Sequence, residues 1–159
     1  MTSKTLCALM RIAVIAVALC GIAIGTWVIP SLGSAIVAAN PEFADWYFSW
    51  LVFAWAVGLP CFAVLLFVWK VALAIKQDTV FTLQTAKWIK AGSIIVFCDA
   101  GLFFIGNIAL LLMNKNHMGI LFVSLLADIL ALSFGLLAAV LSRYITKAAA
   151  LQEVNDAMI

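Results

Sequence analysis

Four long apolar stretches are the most constraining feature of this sequence, because each is long enough to cross a lipid bilayer. A transmembrane helix needs about 20 predominantly apolar residues. The first two stretches carry no charged residue, and the other two carry one acid each. They span residues 12–29, 50–69, 91–113 and 118–142. We therefore predict an all-α integral membrane protein with four transmembrane helices, forming a single domain over residues 1–159 with a tail at 143–159.

The composition supports lipid as the solvent for these stretches. Hydrophobic residues make up 67% of the 159 residues and charged residues 10%, against roughly 25% charged in soluble domains. The stretches lack period-two alternation and are too long for barrel strands, which favours helices. The segments between them are short and leave no room for a soluble catalytic domain. The first stretch is long for the core of a signal peptide, so we interpret it as a retained span.

The distribution of Lys and Arg predicts the orientation, since these residues concentrate in cytoplasmic loops. Of nine basic residues, eight fall on the side of both termini and Lys115 alone falls on the other. The eight are Lys4, Arg11, Lys70, Lys76, Lys87, Lys90, Arg143 and Lys147. Trp and Tyr near the predicted span ends are typical of membrane–water interfaces. The sequence thus predicts a multi-pass protein of the cell (cytoplasmic) membrane with both termini in the cytoplasm.

Signatures of catalytic chemistry are missing from the sequence. His117 is the single histidine and falls in a predicted loop, and the four cysteines show no paired spacing. No metal-ligand cluster, phosphate-binding loop or nucleophile motif is present. The basic residues flank the spans and do not resemble a nucleic-acid-binding surface. We expect no enzymatic activity, no metal, no cofactor and no direct contact with nucleic acid.

Two aspartates, Asp99 and Asp128, lie inside the third and fourth stretches. An aspartate at the centre of a bilayer costs about 2.5 to 3.5 kcal/mol, so each needs a partner. Each lies about 13 to 15 Å from one end of its stretch at 1.5 Å per residue. A hairpin that turns near Lys115 therefore places the two acids at a similar depth. Asn107 and Ser124 are expected at a common level of the same hairpin, and we take these four polar residues as a candidate intramembrane site.

Small residues accompany both acids. Gly92, Asp99 and Gly106 repeat every seven residues and so share one face of the third span. Ser124, Asp128 and Gly135 nearly share a face of the fourth. Small residues beside a polar one are typical of close helix contacts in membranes.

Three interpretations of the acids stay open. Two carboxyl groups in apolar surroundings are not expected both to be ionised. They form a neutral structural pair, bonded to each other, to Asn107, to Ser124 or to backbone carbonyls. Alternatively they bind a proton or cation during transport, or they pair with a cationic group of a partner helix or ligand. Basic residues are absent from the predicted span centres, so such a cation must come from outside the chain.

Glycine and proline add local expectations. Gly21 and Gly25 have the GxxxG spacing that permits close helix approach, either within the chain or between copies in an oligomer. Pro30 is expected to end the first span, and Pro60 is expected to kink the second. Thr82 is a candidate N-cap for the helix that becomes the third span.

The segment from Gly58 to Ile94, "GLPCFAVLLFVWKVALAIKQDTVFTLQTAKWIKAGSI", resembles a bacterial membrane-protein family, domain of unknown function 2975. The family pattern combines a proline-bearing second span, a polar turn, and Phe-Ser or Phe-Thr before a lysine-rich helix start. Matching residues are Pro60, Asp78, Phe81, Thr82, Lys87, Ile89 and Lys90. The ending "EVNDAMI" is similar to the family's Glu-Asn-Asp-Leu-Thr-Val/Ile, with Asn155, Asp156 and Ile159 matching and Ala157 and Met158 departing from it.

The resemblance implies a small four-span protein of the bacterial cytoplasmic membrane. Many members are encoded beside a helix-turn-helix transcription regulator, which implies a regulatory partner. We therefore predict a non-enzymatic regulatory or accessory protein that contacts a cytoplasmic protein. The predicted contact residues are Lys76, Asp78, Phe81, Thr82, Lys87, Asn155, Asp156 and Ile159.

Two alternatives remain beside this prediction. One is a small transporter or ion-coupled protein that uses Asp99 and Asp128. The other is an immunity or envelope-stress protein that binds a toxic peptide through the first outer loop, where Phe43 and Trp46 would cap the ligand.

Overall fold

The computed structural model describes residues 3–77, 79–116 and 118–156, and this part of the chain is almost entirely helical. Five α-helices are joined by a π-helical turn, a short 3₁₀ helix and two tight connections. In chain order the elements are α1 (Ser3–Ala23), the π-turn (Ile24–Val28), α2 (Ile29–Ala39), the 3₁₀ helix (Pro41–Trp46), α3 (Tyr47–Lys76), α4 (Leu83–Leu112) and α5 (Met118–Asp156).

Four helical segments within the described residues are long and apolar enough to span a membrane. They cover Lys4–Ala39, Pro41–Lys76, Leu83–Leu112 and Met118–Val154. The all-helical fold class is therefore confirmed, and the helices indicate a multi-pass membrane protein. α5 is the longest helix at 39 residues, or about 58 Å at 1.5 Å per residue.

The first helical segment continues past Pro30, so the prediction that this proline ends the span is wrong. Pro30 lies in the first turn of α2, where its missing N–H costs little. The π-turn just before it makes the continuation possible. There the N–H of Ile29 donates to Ile24 O, five residues earlier. The helix then runs on to Ala39.

The helices pack as an open row of antiparallel neighbours. The segment of α1 and α2 packs on α3, α3 packs on α4, and α4 packs on α5. Among the described residues, the backbone of α1 does not approach α4 or α5, and that of α3 does not approach α5. The row has two ends. We call one the terminal end, with the start of α1, the α3–α4 turn and the end of α5, and the other the loop end, with α2, the 3₁₀ helix and the α4–α5 hairpin.

A seam of small residues joins α4 to α5. On α4 the buried residues Ala86, Ser93, Ala100 and Asn107 recur every seven positions. Ser124, Asp128, Gly135, Ser142 and Ala149 are buried along α5. Two hydroxyl groups cross the seam to backbone carbonyls, from Ser93 to Gly135 O at 2.8 Å and from Ser142 to Ala86 O at 2.7 Å. These bonds fix the antiparallel register of the two helices.

Gly92 and Gly106 of α4 face α3. Gly92 lies against Phe67, and a Cβ at Gly106 would overlap the ring of Phe53. The shared face predicted for Gly92, Asp99 and Gly106 is therefore confirmed, and it is the face that contacts α3. Its small residues let two helices that carry phenylalanines lie close together.

The α3–α4 turn is closed by threonine hydroxyl groups. Thr82 Oγ1 accepts the N–H of Thr85, which confirms Thr82 as the N-cap of α4. The hydroxyls of Thr82 and Thr85 both donate to the carbonyl oxygen of Thr79, at 3.1 and 3.2 Å. These bonds hold the first turn of α4 against Thr79 at the terminal end.

Candidate functional site

The helix register places the two acids at the same level of the α4–α5 seam. Ser93 pairs with Gly135 and Ser142 pairs with Ala86. One further heptad along both helices brings Asp128 opposite Ala100, the residue next to Asp99. The similar depth predicted for the two acids agrees with this register, and Asp99 lies within electrostatic reach of Asp128.

Each carboxyl group has one buried oxygen without a hydrogen-bond partner among the described residues. The atoms are Oδ1 of Asp99 and Oδ2 of Asp128. Asp128 is only 4% exposed, whereas Asp99 is partly buried. A buried, unpartnered carboxyl oxygen is costly, and in native proteins it calls for a specific explanation. These two oxygens make this level of the seam the strongest candidate site in the described chain.

The second oxygen of Asp99 has a partner that sequence reasoning missed. Cys61 of α3 donates its S–H to Asp99 Oδ2 at 3.7 Å. The unpaired spacing of the four cysteines in the sequence gives no indication of this contact. The contact depends on the register in which α3 and α4 pack antiparallel, which brings the centres of the two helices together. The Phe53–Gly106 and Phe67–Gly92 contacts set this register, and they are known only from the structure.

Asn107 and Ser124 come together, but they bond to each other and not to the acids. Ser124 Oγ lies 3.2 Å from Asn107 Oδ1 and also contacts Ile120 O. Asn116, in the α4–α5 hairpin, donates to the same Asn107 oxygen at 3.1 Å. We call these three residues the amide cluster. It lies toward the loop end of the seam, one helical turn from Asp128 along α5.

Among the described residues, Asp99 and Asp128 are not part of a ligand set that could hold a metal ion. The described residues contain no group of three or more His, Cys, Asp or Glu side chains arranged to hold a metal ion. The basic residues nearest in sequence are Lys90, nine residues before Asp99, and Lys115 in the hairpin. The two carboxyl oxygens lack a hydrogen-bond donor or a positive charge. The site can therefore accept a proton, a small cation or a cationic group.

The predicted contact residues that are described lie around the terminal end. Lys76, Phe81 and Lys87 are exposed, and Thr82 is half-buried in its N-cap role. Asn155 and Asp156 belong to the last turn of α5, and their side chains lie outside the described part. Asp78 and Ile159 also fall outside the described residues.

Sequence reasoning missed an apolar stripe on α5 at the terminal end. Tyr144, Leu151 and Val154 are 66%, 73% and 57% exposed. Their spacing of seven and three residues places them on one face of the helix. The opposite face carries the buried residues Ser142, Ile145 and Ala149. The spacing is present in the sequence, but the apolar stretch that predicts this helix covers only residues 118–142.

At the loop end, Lys115 contacts Phe43 and Trp46, the two aromatic residues that one sequence-based hypothesis places over a bound ligand. Its ammonium group lies 5.2 Å from the ring centroid of Phe43 and 5.6 Å from that of Trp46. Cation–π contacts of this kind tie the 3₁₀ helix to the α4–α5 hairpin. The two rings are thus already engaged by the chain itself.

Of the two GxxxG glycines, Gly21 makes a close helix contact within the chain. A Cβ at Gly21 would lie 3.1 Å from the ring of Phe62 on α3, whereas Gly25 has open space. Gly21 therefore lets α1 approach α3. An oligomer through these glycines stays a prediction.

Comparison with known proteins places the chain in a family. No curated protein and no solved structure matches it. A family model described as protein of unknown function (DUF2975) matches residues 31–159, which is most of the chain and includes α3, α4 and α5. The resemblance inferred from the Pro60 to Lys90 pattern and the ending is confirmed, and the chain belongs to the DUF2975 family.

Proposed function

We propose that this protein is a non-enzymatic accessory protein of the bacterial cytoplasmic membrane, which holds a cytoplasmic partner protein at its terminal end. The proposal places both termini in the cytoplasm. Eight of the nine basic residues belong to the terminal end, and Lys115 belongs to the loop end. This asymmetry is what the positive-inside rule expects of such an orientation.

The observation that carries the proposal is the length of α5. The helix continues without a break to Asp156, well past Ser142, the last residue of the apolar span predicted from the sequence. Leu151 lies nine residues beyond Ser142, or about 13 Å along the axis. The headgroup layer on each side of a bilayer is about 5 to 8 Å thick. With the predicted span in the membrane, Leu151 and Val154 would lie beyond the lipid, where exposed apolar residues on one face favour a protein contact.

The charge around this stripe indicates the kind of partner. Arg143 and Lys147 flank it on α5, and Lys76 and Lys87 are exposed nearby on the same end of the row. A partner that presents an apolar groove with an acidic rim fits both features. A helix-turn-helix regulator with such a groove is the partner we favour, because membrane retention would control its access to DNA.

Photo-crosslinking from α5 tests the proposal. A photoreactive amino acid is placed at Leu151 or Val154 of the full chain in its native membrane, and captured proteins are identified by mass spectrometry. Gln152 and Glu153 are the matched controls, because they are exposed on the same turn but on other sides of the helix. We expect one cytoplasmic protein to be captured from Leu151 and Val154 and not from the controls.

Two outcomes contradict the proposal. Equal capture from all four positions means that the stripe is not a specific surface, and capture of a second copy of this chain makes it a self-association surface. As a functional check, Leu151→Glu should release the partner from the membrane fraction. The same change at Gln152 should leave the partner in place.

A further inference from the structure

We infer that Asp99 and Asp128 form a proton-binding site that is loaded from the loop end of the α4–α5 seam. The inference is independent of the proposed docking role, and it concerns the purified chain alone. It starts from the two buried carboxyl oxygens that have no partner among the described residues. A carboxylate in this position lacks a donor, whereas a protonated carboxyl supplies its own.

A proton fits this site better than a metal cation. Hard cations take six or more oxygen ligands, usually from several carboxylates and carbonyls. Here the level offers two unpartnered oxygens, one on α4 and one on α5, with the thiol of Cys61 as the next polar group. The described residues hold no metal-binding group. A single proton needs only one of the two oxygens and removes the repulsion between the acids.

The titratable groups that face the site come from the three helices around it. α3 contributes Cys61, which donates to Asp99. α4 contributes Asp99, and α5 contributes Asp128. Lysine and arginine are absent from residues 91–113 and 118–142, so no cation of these two spans competes with the proton.

The seam is polar on one side of the acids and sealed on the other. Toward the loop end, the amide cluster connects the half-buried hairpin residue Asn116 to Asn107 and Ser124. Ser124 lies on the same buried face of α5 as Asp128, four residues or about 6 Å away. The amide cluster thus forms a row of polar side chains from the hairpin toward Asp128, which we call the polar file. Protons and water reach the acids most readily along the polar file.

Toward the terminal end, the serine hydroxyls of the seam already donate hydrogen bonds to backbone carbonyls. Ser93 donates to Gly135 O and Ser142 donates to Ala86 O. Gly135 is buried, and a Cβ there would lie 3.2 Å from the Val96 side chain, so apolar side chains of α4 pack directly against this part of α5. This half of the seam therefore has no polar file leading to the acids. Because the polar file lies only on the other side of them, we assign the loop end as the side from which protons enter.

Carbodiimide labelling of the full chain in oriented liposomes tests the inference. The reagent modifies protonated carboxyl groups and leaves a stable adduct in apolar surroundings, which mass spectrometry assigns to Asp99 or Asp128. The pH on the loop side is varied between about 5 and about 9, a range in which carboxyl groups in apolar sites titrate, while the terminal side is held constant. We expect labelling to follow the loop-side pH and, above its midpoint, to fall about tenfold per pH unit.

Matched variants separate the site from a general effect. Asp99→Asn should shift the pH midpoint for labelling at Asp128, because the two acids share the site. Asp45→Asn, which removes an exposed carboxyl of the 3₁₀ helix, should leave it unchanged. Asn107→Leu should uncouple labelling from the loop-side pH, while Asn116→Gln keeps an amide donor in the polar file and should preserve the coupling.

Three results overturn the inference. Labelling of the wild-type chain that does not change with pH shows that the acids do not exchange protons. Labelling that follows the terminal-side pH shows the opposite entry route. Protection by sodium at constant pH, with potassium as control, shows that the site binds a metal cation. All three are read from the wild-type chain and do not depend on whether a variant folds, and none of them bears on the crosslinking from α5.

Discussion

The indole Nε1 of Trp55 donates a hydrogen bond to the carbonyl oxygen of Gly25 at 3.0 Å. In a regular α-helix the N–H of Ile29 would bond this carbonyl, but in the π-turn it bonds Ile24 O instead. Trp55 therefore supplies the donor that the π-turn takes away. This single contact links a sequence irregularity, Pro30 in the middle of an apolar helix, to the packing of α1 on α3.

Replacing Trp55 with phenylalanine should lower the free energy of unfolding by about 1 kcal/mol, within the range of hydrogen bonds between membrane helices. The aromatic ring is retained, so the loss reports mainly on the Gly25 carbonyl. Unfolding in mixed micelles, followed by circular dichroism, measures the change. Trp27→Phe is the control, because Trp27 is 74% exposed and has no hydrogen-bond partner among the described residues. Equal losses in the two variants would contradict a specific role for the Trp55 bond.

Removing the hydroxyl of Ser142 should destabilise the α4–α5 pair by about 0.6 to 1.7 kcal/mol. Its bond to Ala86 O crosses the seam near the terminal end and is buried. Ser133→Ala should change stability much less, because Ser133 is exposed and bonds only to Ile129 O within its own helix. Unfolding titrations of both variants make the comparison. A larger effect at Ser133 would show that the seam bond does not hold the helices together.

Gly106 and Gly101 offer a matched pair on α4. A Cβ at Gly106 would overlap the ring of Phe53, which stacks on Phe103 with centroids 6.3 Å apart. A Cβ at Gly101 meets nothing within 4 Å. Gly106→Ala should cost about 1 to 3 kcal/mol, as overpacking of a tight contact does, whereas Gly101→Ala should be neutral or slightly stabilising. Similar stabilities for the two variants would mean that α3 and α4 are not in close contact at this level.

The spans and one helix face were predictable from the sequence because they depend on local spacing. Apolar length predicted the four helices, and the seven-residue repeat predicted that Gly92, Asp99 and Gly106 share one face, which in the structure meets α3. The N-cap at Thr82 also follows from neighbouring residues alone. These features need no knowledge of which helix packs against which.

The missed features depend on relationships between distant helices. Cys61 reaches Asp99 only because α3 and α4 pair in one particular register. Trp55 supports the passage through Pro30 from another helix, thirty residues away in sequence. The open row follows from the absence of close approach between α1 and α5 in the described chain. The spacing of residues within one helix does not indicate which residues of another helix they will contact.

The orientation proposed for the membrane should be visible by labelling single cysteines in intact cells. The four native cysteines are first replaced by alanine or serine, and one cysteine is then introduced at Gln152 or at Glu42. Both positions are exposed, the first on the extension of α5 and the second in the 3₁₀ helix. An impermeant maleimide should label Glu42→Cys from outside and should reach Gln152→Cys only after the cells are opened. The reverse pattern would place the terminal end outside the cell. The α5 stripe would then be unable to hold a cytoplasmic partner, and protons that enter from the loop end would come from the cytoplasm.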